Sequence, residues 1–166
     1  MKYAIVFPGQ GSQSLGMLSD LSSNFSIVKD IFSEASDALD LDLWKIVQED
    51  EDALNQTENT QPAMLAAGYA TFKILSNEVD LSPICMAGHS LGEYTALVAA
   101  QSLNYFEAVK LVRKRAELMQ SAVPSGTGAM AAILGLDDEK VIEICTQSKI
   151  SGVVEAVNFN SPDQVV

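Results

Sequence analysis

Five apolar residues in a row, Tyr3-Ala4-Ile5-Val6-Phe7, predict a strand buried on both faces, as in a parallel sheet. Pro8, Gly9 and Gly11 end it in a loop. From Asn24 the apolar residues return at helical spacing: Phe25, Val28, Ile31, Phe32, Ala35 and Leu39, with Lys29, Asp30, Glu34 and Asp37 opposite. That pattern predicts an amphipathic helix capped by Asn24. Residues 43–47 predict a short helix, and the charge run at 49–52 a solvated face. Asn59-Thr60-Gln61-Pro62 opens a helix that runs to Leu75, with proline tolerated in its first turn. This helix is apolar almost all round, which predicts burial against the sheet. Ser82-Pro83 breaks the chain, Ile84-Cys85-Met86-Ala87 predicts a second strand, and residues 93–100 form a helix. Asn104, with Glu107 three residues on, opens a long helix whose buried side carries Phe106, Val109, Val112, Ala116, Met119 and Val123.

At residues 124–128 (Pro-Ser-Gly-Thr-Gly) the texture changes. Beyond this linker a strand is expected at 129–134, an Asp137-capped helix to about Ser148, a strand at 153–157, a turn at 158–162 and a further strand from Gln164. Strands alternating with helices predict an α/β class: a large parallel-sheet domain over residues 1–123, then a small α+β subdomain over 124–166. A last strand without a partner carries the expectation of a longer protein.

Chemistry enters at Gly88-His89-Ser90-Leu91-Gly92, where an expected strand meets an expected helix. Gly-x-Ser-x-Gly in that setting is a nucleophile elbow, whose sharp turn presents the serine Oγ. An elbow of this kind stabilises an oxyanion with the N–H after the serine, here Leu91, and a second N–H from a separate loop, here residues 8–13. The serine needs a general base. The one histidine, His89, adjoins Ser90 on a tight turn and projects elsewhere, so the base is expected beyond residue 166. The glycine loop itself does not read as a dinucleotide site, because Ser14 stands where the fingerprint needs Gly or Ala.

Charge refines the picture. The net charge of −12 excludes non-specific nucleic-acid binding, and residues 1–60 carry 11 acidic against 3 basic residues. Only residues 101–120 are locally basic, with Lys110, Arg113, Lys114 and Arg115 against 2 acidic residues. An anionic ligand would therefore meet the chain there. Arg115 lies at the edge of the apolar stripe, while Lys110, Arg113 and Lys114 are expected to face solvent. Cys85 and Cys145 read as buried free thiols without metal-type spacing. No apolar run reaches the length of a membrane span. The cytoplasm is the expected compartment.

Taken together, Phe7-Pro8-Gly9-Gln10-Gly11-Ser12-Gln13, Gln61-Pro62-Ala63, Gly88-His89-Ser90-Leu91-Gly92-Glu93-Tyr94, Arg115, Gly126-Thr127-Gly128-Ala129-Met130 and Asn158-Phe159-Asn160-Ser161-Pro162 occur in an order that resembles the malonyl-CoA:acyl carrier protein transacylases of bacterial fatty acid synthesis. The resemblance implies an α/β-hydrolase-like core with an inserted ferredoxin-like subdomain. It implies malonyl transfer from CoA to a serine and then to the phosphopantetheine thiol of acyl carrier protein, with no cofactor. Ser90 then corresponds to the nucleophile, Gln10 and Leu91 to the backbone oxyanion donors, Arg115 to the clamp on the malonyl carboxylate, and Asn160 to a pocket-lining residue. An esterase or thioesterase on the same elbow, or an inactive fragment lacking the base, are the alternatives.

Overall fold

The first apolar run becomes β1 (Ala4–Phe7), paired in parallel with β2 (Cys85–Gly88) in a register that sets Ala4 opposite Cys85 and Phe7 opposite Gly88. This arrangement comes from a computed structural model, which describes residues 2–123 and 126–166. The chain forms two units, residues 1–122 and 123–166. Pro124 and Ser125 of the expected linker lie outside the described residues.

In the first unit the elements that connect the two strands are all helices. The polar stretch Ser19–Asn24 forms α1, along which the Ser22 and Ser23 hydroxyls donate to the Ser19 carbonyl and the Asn24 amide to that of Asp20. Asn24 therefore ends one helix and does not cap the next; α2 runs Ile27–Leu39 with Ser26 at its N-cap. Next come α3 (Leu43–Glu49) and α4 (Glu51–Leu54), each capped by an aspartate: Asp42 accepts from the Lys45 N–H and Asp50 from the Ala53 N–H. The charge run is a solvated face, as expected, but it also starts a helix.

The long helix α5 (Thr57–Glu78) begins earlier than its proline suggests. It is buried chiefly among α2, α6 (Gly92–Ala99) and α7 (Tyr105–Ala122), with sheet contact confined to residues such as Phe72, whose ring meets that of Phe7 edge-on at 6.1 Å. The core collects Val28, Phe32, Leu43, Val47, Leu65, Val109 and Val112, all fully buried. Each such side chain contributes about 1.5–3 kcal/mol. Phe32 packs edge-on against Trp44 at 4.9 Å, and Tyr105 stacks on Tyr69 while its hydroxyl donates to the Ile31 carbonyl.

Several expected burials do not occur. Val6 is 74% exposed, on a sheet of two strands, β1 and β2, with no other strand neighbour among the described residues. Met119 and Val123, at the far end of the α7 stripe, are exposed, and so is Cys85, while Cys145 is half-buried.

The second unit holds an antiparallel sheet in the order β3 (Ile133–Leu134), β5 (Gln164–Val165), β4 (Phe159–Ser161), with α8 (Asp138–Ser148) capped by Asp137 as expected. Residues 129–132 and 153–157 form no strand, and the expected turn at 158–162 is largely β4. The Val157 and Asn158 N–H groups reach the Val166 carbonyl instead of a ladder.

Candidate active site

Ser90 occupies the turn between β2 and α6 at φ 52°, in the left-handed region. A non-glycine residue held there is strained by roughly 1–3 kcal/mol, so its surroundings must enforce it. They do so through close backbone approach. A Cβ on Gly88 would run into the backbone of Gly92 and Glu93, and one on Gly92 into the carbonyls of Phe7 and Pro8. Only glycine at both positions lets α6 return so tightly over the sheet. The turn closes with Gly92 N–H donating to the His89 carbonyl at 2.9 Å and Glu93 N–H to that of Ser90 at 3.2 Å.

Leu91 is fully buried and stands at the N-cap of α6, so its amide belongs to the group of helix-opening N–H donors that lack an intrahelical acceptor. The loop after β1 leaves the sheet beside it. The His89 N–H donates to the Phe7 carbonyl, and the imidazole of His89 lies against Gly9. Gln10 donates through its side chain to the Thr57 hydroxyl, and Gln13 donates to Asn55 while accepting from the Gly11 N–H. The loop is thus pinned on one side to the elbow and on the other to the start of α5.

Arg115 reaches the serine from α7. Its Nη2 donates to Ser90 Oγ at 2.9 Å, and its Nη1 to Gln61 Oε1 at 2.8 Å. Its guanidinium carbon lies 5.7 Å from the ring centre of Tyr94, within cation–π range. Gln61 is completely buried in α5, and its amide nitrogen faces the Met119 sulfur at 3.5 Å. Every partner of Arg115 named here is neutral, and among the described residues no carboxylate pairs with it. The other cations of this helix differ: Lys110 pairs with Glu107, Lys114 with Glu117, and Arg113 with Glu58 and Glu117. In a chain of net charge −12, one uncompensated guanidinium beside an exposed serine is a local attractor for an anion.

Gln10, Ser90, Leu91 and Arg115 all lie in the first unit. Asn160 lies in β4 of the second, where its amide donates to Gln164. Arg113 does not face solvent as expected: it is half-buried and bonded to Asn59 and the Glu58 carbonyl. The contacts of Gln61 and Asn59 with α7 are not foreshadowed by spacing or motif. The available signal was a block of polar residues, Asn59-Thr60-Gln61, opening an otherwise apolar helix. Among the described residues no group of His, Cys, Asp and Glu is arranged to hold a metal ion, and no helix is long and apolar enough to cross a membrane.

The family model described as "Acyl transferase domain" matches residues 4–166. The malonyl CoA-acyl carrier protein transacylase of Haemophilus influenzae is 55% identical over 99% of this chain and 54% of its own length, and that of Staphylococcus aureus strain MRSA252 is 48% identical over 99% and 53%. Among solved structures, the chain resembles a malonyl-transacylase in complex with its type II PKS acyl-carrier protein, with a TM-score of 0.96 and 51% identity over 99% of this chain and 54% of that one. The Coxiella burnetii transacylase gives 0.96 and 49%, over 99% and 52%. The chain spans about half the length of the curated relatives it matches. With the elbow, the serine and the arginine in one unit and a family match over nearly its whole length, the chain belongs to the acyl transferase domain family.

Proposed function

We propose that this chain carries the nucleophile and the acyl-recognition residues of a transacylase that moves a malonyl group from CoA to the phosphopantetheine thiol of acyl carrier protein. The observation that carries this reading is the Arg115–Ser90 contact of 2.9 Å, made by a cation that lacks a carboxylate partner among the described residues. In malonyl thioesters one methylene separates the carboxylate from the reacting carbonyl. A guanidinium one hydrogen bond from the nucleophile suits that spacing, and its planar fork can grip a carboxylate with two charged hydrogen bonds. Each such bond is worth about 1.5–3 kcal/mol.

In the proposed reaction Arg115 turns from the serine hydroxyl to the incoming carboxylate. Ser90 Oγ attacks the thioester carbonyl while its proton passes to a general base, which this reading places outside residues 1–166. Charge develops on the carbonyl oxygen, where the backbone N–H groups of Leu91 and Gln10 donate to it. The C–S bond breaks, CoA leaves as a thiol with the proton returned to it, and malonyl remains as an ester of Ser90. The carrier thiol reverses these steps and regenerates the serine. In the same reading the first unit is an α/β-hydrolase-like core, and the second, which carries Asn160, is an inserted ferredoxin-like subdomain. The resemblance to a transacylase bound to its acyl-carrier protein supports the choice of acceptor.

Intact-mass measurement tests the reading. Full-length protein incubated with malonyl-CoA is expected to gain a malonyl adduct that Ser90→Ala lacks, and persistence of the adduct in that variant overturns the assignment. Arg115→Ala is expected to lower malonyl transfer by about 100-fold, the loss of roughly 3 kcal/mol of charged hydrogen bonding, and acetyl transfer far less. Equal losses overturn the clamp. Release of free malonate faster than transfer to a thiol would show a hydrolase instead.

A further inference from the structure

Pro62 lies inside α5 and has no N–H, so the helix cannot satisfy the carbonyl four residues earlier, that of Glu58. Arg113 of α7 fills this gap: its Nη1 donates to the Glu58 carbonyl at 3.1 Å and to Asn59 Oδ1 at 2.7 Å. Asn59 is itself buried and bonded at its other end, its Nδ2 donating to the Ala53 carbonyl at 2.9 Å. The side chain of Arg113 is further held by the carboxylates of Glu58 at 3.5 Å and Glu117 at 3.4 Å. One turn of α5 therefore receives two arginines from α7, Arg113 at Glu58 and Asn59 and Arg115 at Gln61. At about 100° per residue the two arginines stand roughly 160° apart around α7, measured across its buried face. They flank the buried stripe of Val109, Val112 and Ala116 on opposite sides.

We infer that Arg113 is a positioning residue that sets the roll of α7 on α5, so that Arg115 faces Ser90. An apolar stripe alone specifies which face is buried but tolerates rotation by a fraction of a residue step. Two polar rungs on either side of the stripe remove that freedom, because rolling in either direction stretches one of them. The Arg113 rung is anchored by a backbone carbonyl that proline leaves open, so the lock is written into the sequence of both helices. This inference rests on the reading of Arg115 as the malonyl-carboxylate clamp.

The test uses the full-length protein. Arg113→Gln is expected to lower the ratio of malonyl to acetyl kcat/KM about 10-fold, chiefly through the malonyl KM, and Arg113→Lys to recover most of that loss. An unchanged ratio alongside a lowered Tm reduces Arg113 to a merely structural role and overturns the inference. If Arg113→Gln does not fold, Asn59→Ala removes the shorter of the rung's two hydrogen bonds from the α5 side, with a drop in ratio in the same direction expected. A crystal structure of the folded variant separates this inference from the reading beneath it. Loss of the Arg115–Ser90 hydrogen bond supports positioning, and its retention at 2.9 Å overturns it. An Arg115→Ala variant with an unaltered ratio defeats the clamp reading alone, and the variant structure still decides the roll of α7.

Discussion

Gln61 has both ends of its amide occupied in a fully buried position, one by Arg115 and one by the Met119 sulfur. Truncation to Gln61→Ala removes the anchor of Nη1 and leaves a void, so stability is expected to fall by about 1–3 kcal/mol in urea unfolding. The malonyl KM is expected to rise about 10-fold, because a guanidinium freed from one of its two contacts loses preorganisation. An unchanged KM in a folded variant counts against this anchor. Ser90 was legible in the sequence because glycine at Gly88 and Gly92 records a steric requirement that no other residue meets. Gln61 was not, since a glutamine in a helix's first turns reads equally as capping or solvent exposure. Only the packing of α7 against that turn shows otherwise. Arg113 was misread for a related reason. Its charge suggests solvent, but its partners include a carbonyl and an amide supplied by a helix more than fifty residues away in sequence.

At the level of elements, the cap at Asp50 supports the start of α5 through α4. Its carboxylate accepts from the Ala53 N–H at 2.9 Å, and the Ala53 and Leu54 carbonyls of that short helix then accept from Asn59 and Thr60 at the start of α5. Asp50→Ala is expected to cost about 0.5–2 kcal/mol, read as a lower urea midpoint with an unchanged slope. The longer helices were legible because their apolar spacing matches the helical repeat, as in α2 and α7. The second unit was less so. Residues 153–157 are β-branched enough to read as a strand, yet Val153 and Val157 stay exposed and no ladder forms there among the described residues. Strand propensity means fitting a pleated, half-buried surface, and a neighbour must supply that surface. The polar segment Ser19–Asn24 shows the converse, a short helix closed by backbone bonds such as Ser22 N–H to the Leu18 carbonyl, without apolar periodicity to announce it.

Across the whole molecule, the titration of the core has a defined sign. Burial raises the Tyr105 phenol above its ordinary value, with the Glu34 carboxylate and Tyr69 adding to the effect. A folded-state pKa above the unfolded one means that the stability contribution is complete below about pH 10 and is lost as pH climbs beyond it. The urea midpoint is therefore expected to decline above pH 10 in the native chain. Tyr105→Phe should flatten that decline while losing about 1 kcal/mol at neutral pH, with the hydrogen bond to the Ile31 carbonyl. A native-like alkaline decline in the variant would point to other groups. Finally, the serine stands between β2 and α6, whereas the guanidinium beside it comes from α7 and leans on α5. On the proposed reading, the bond-making atom and the cation that grips its cargo are held by separate elements. A lineage can then drift toward bulkier or uncharged cargo by changes on the α5–α7 pair while the elbow stays under unbroken selection. New preferences in this architecture should arise by a few helix-surface substitutions, without rebuilding the chemistry.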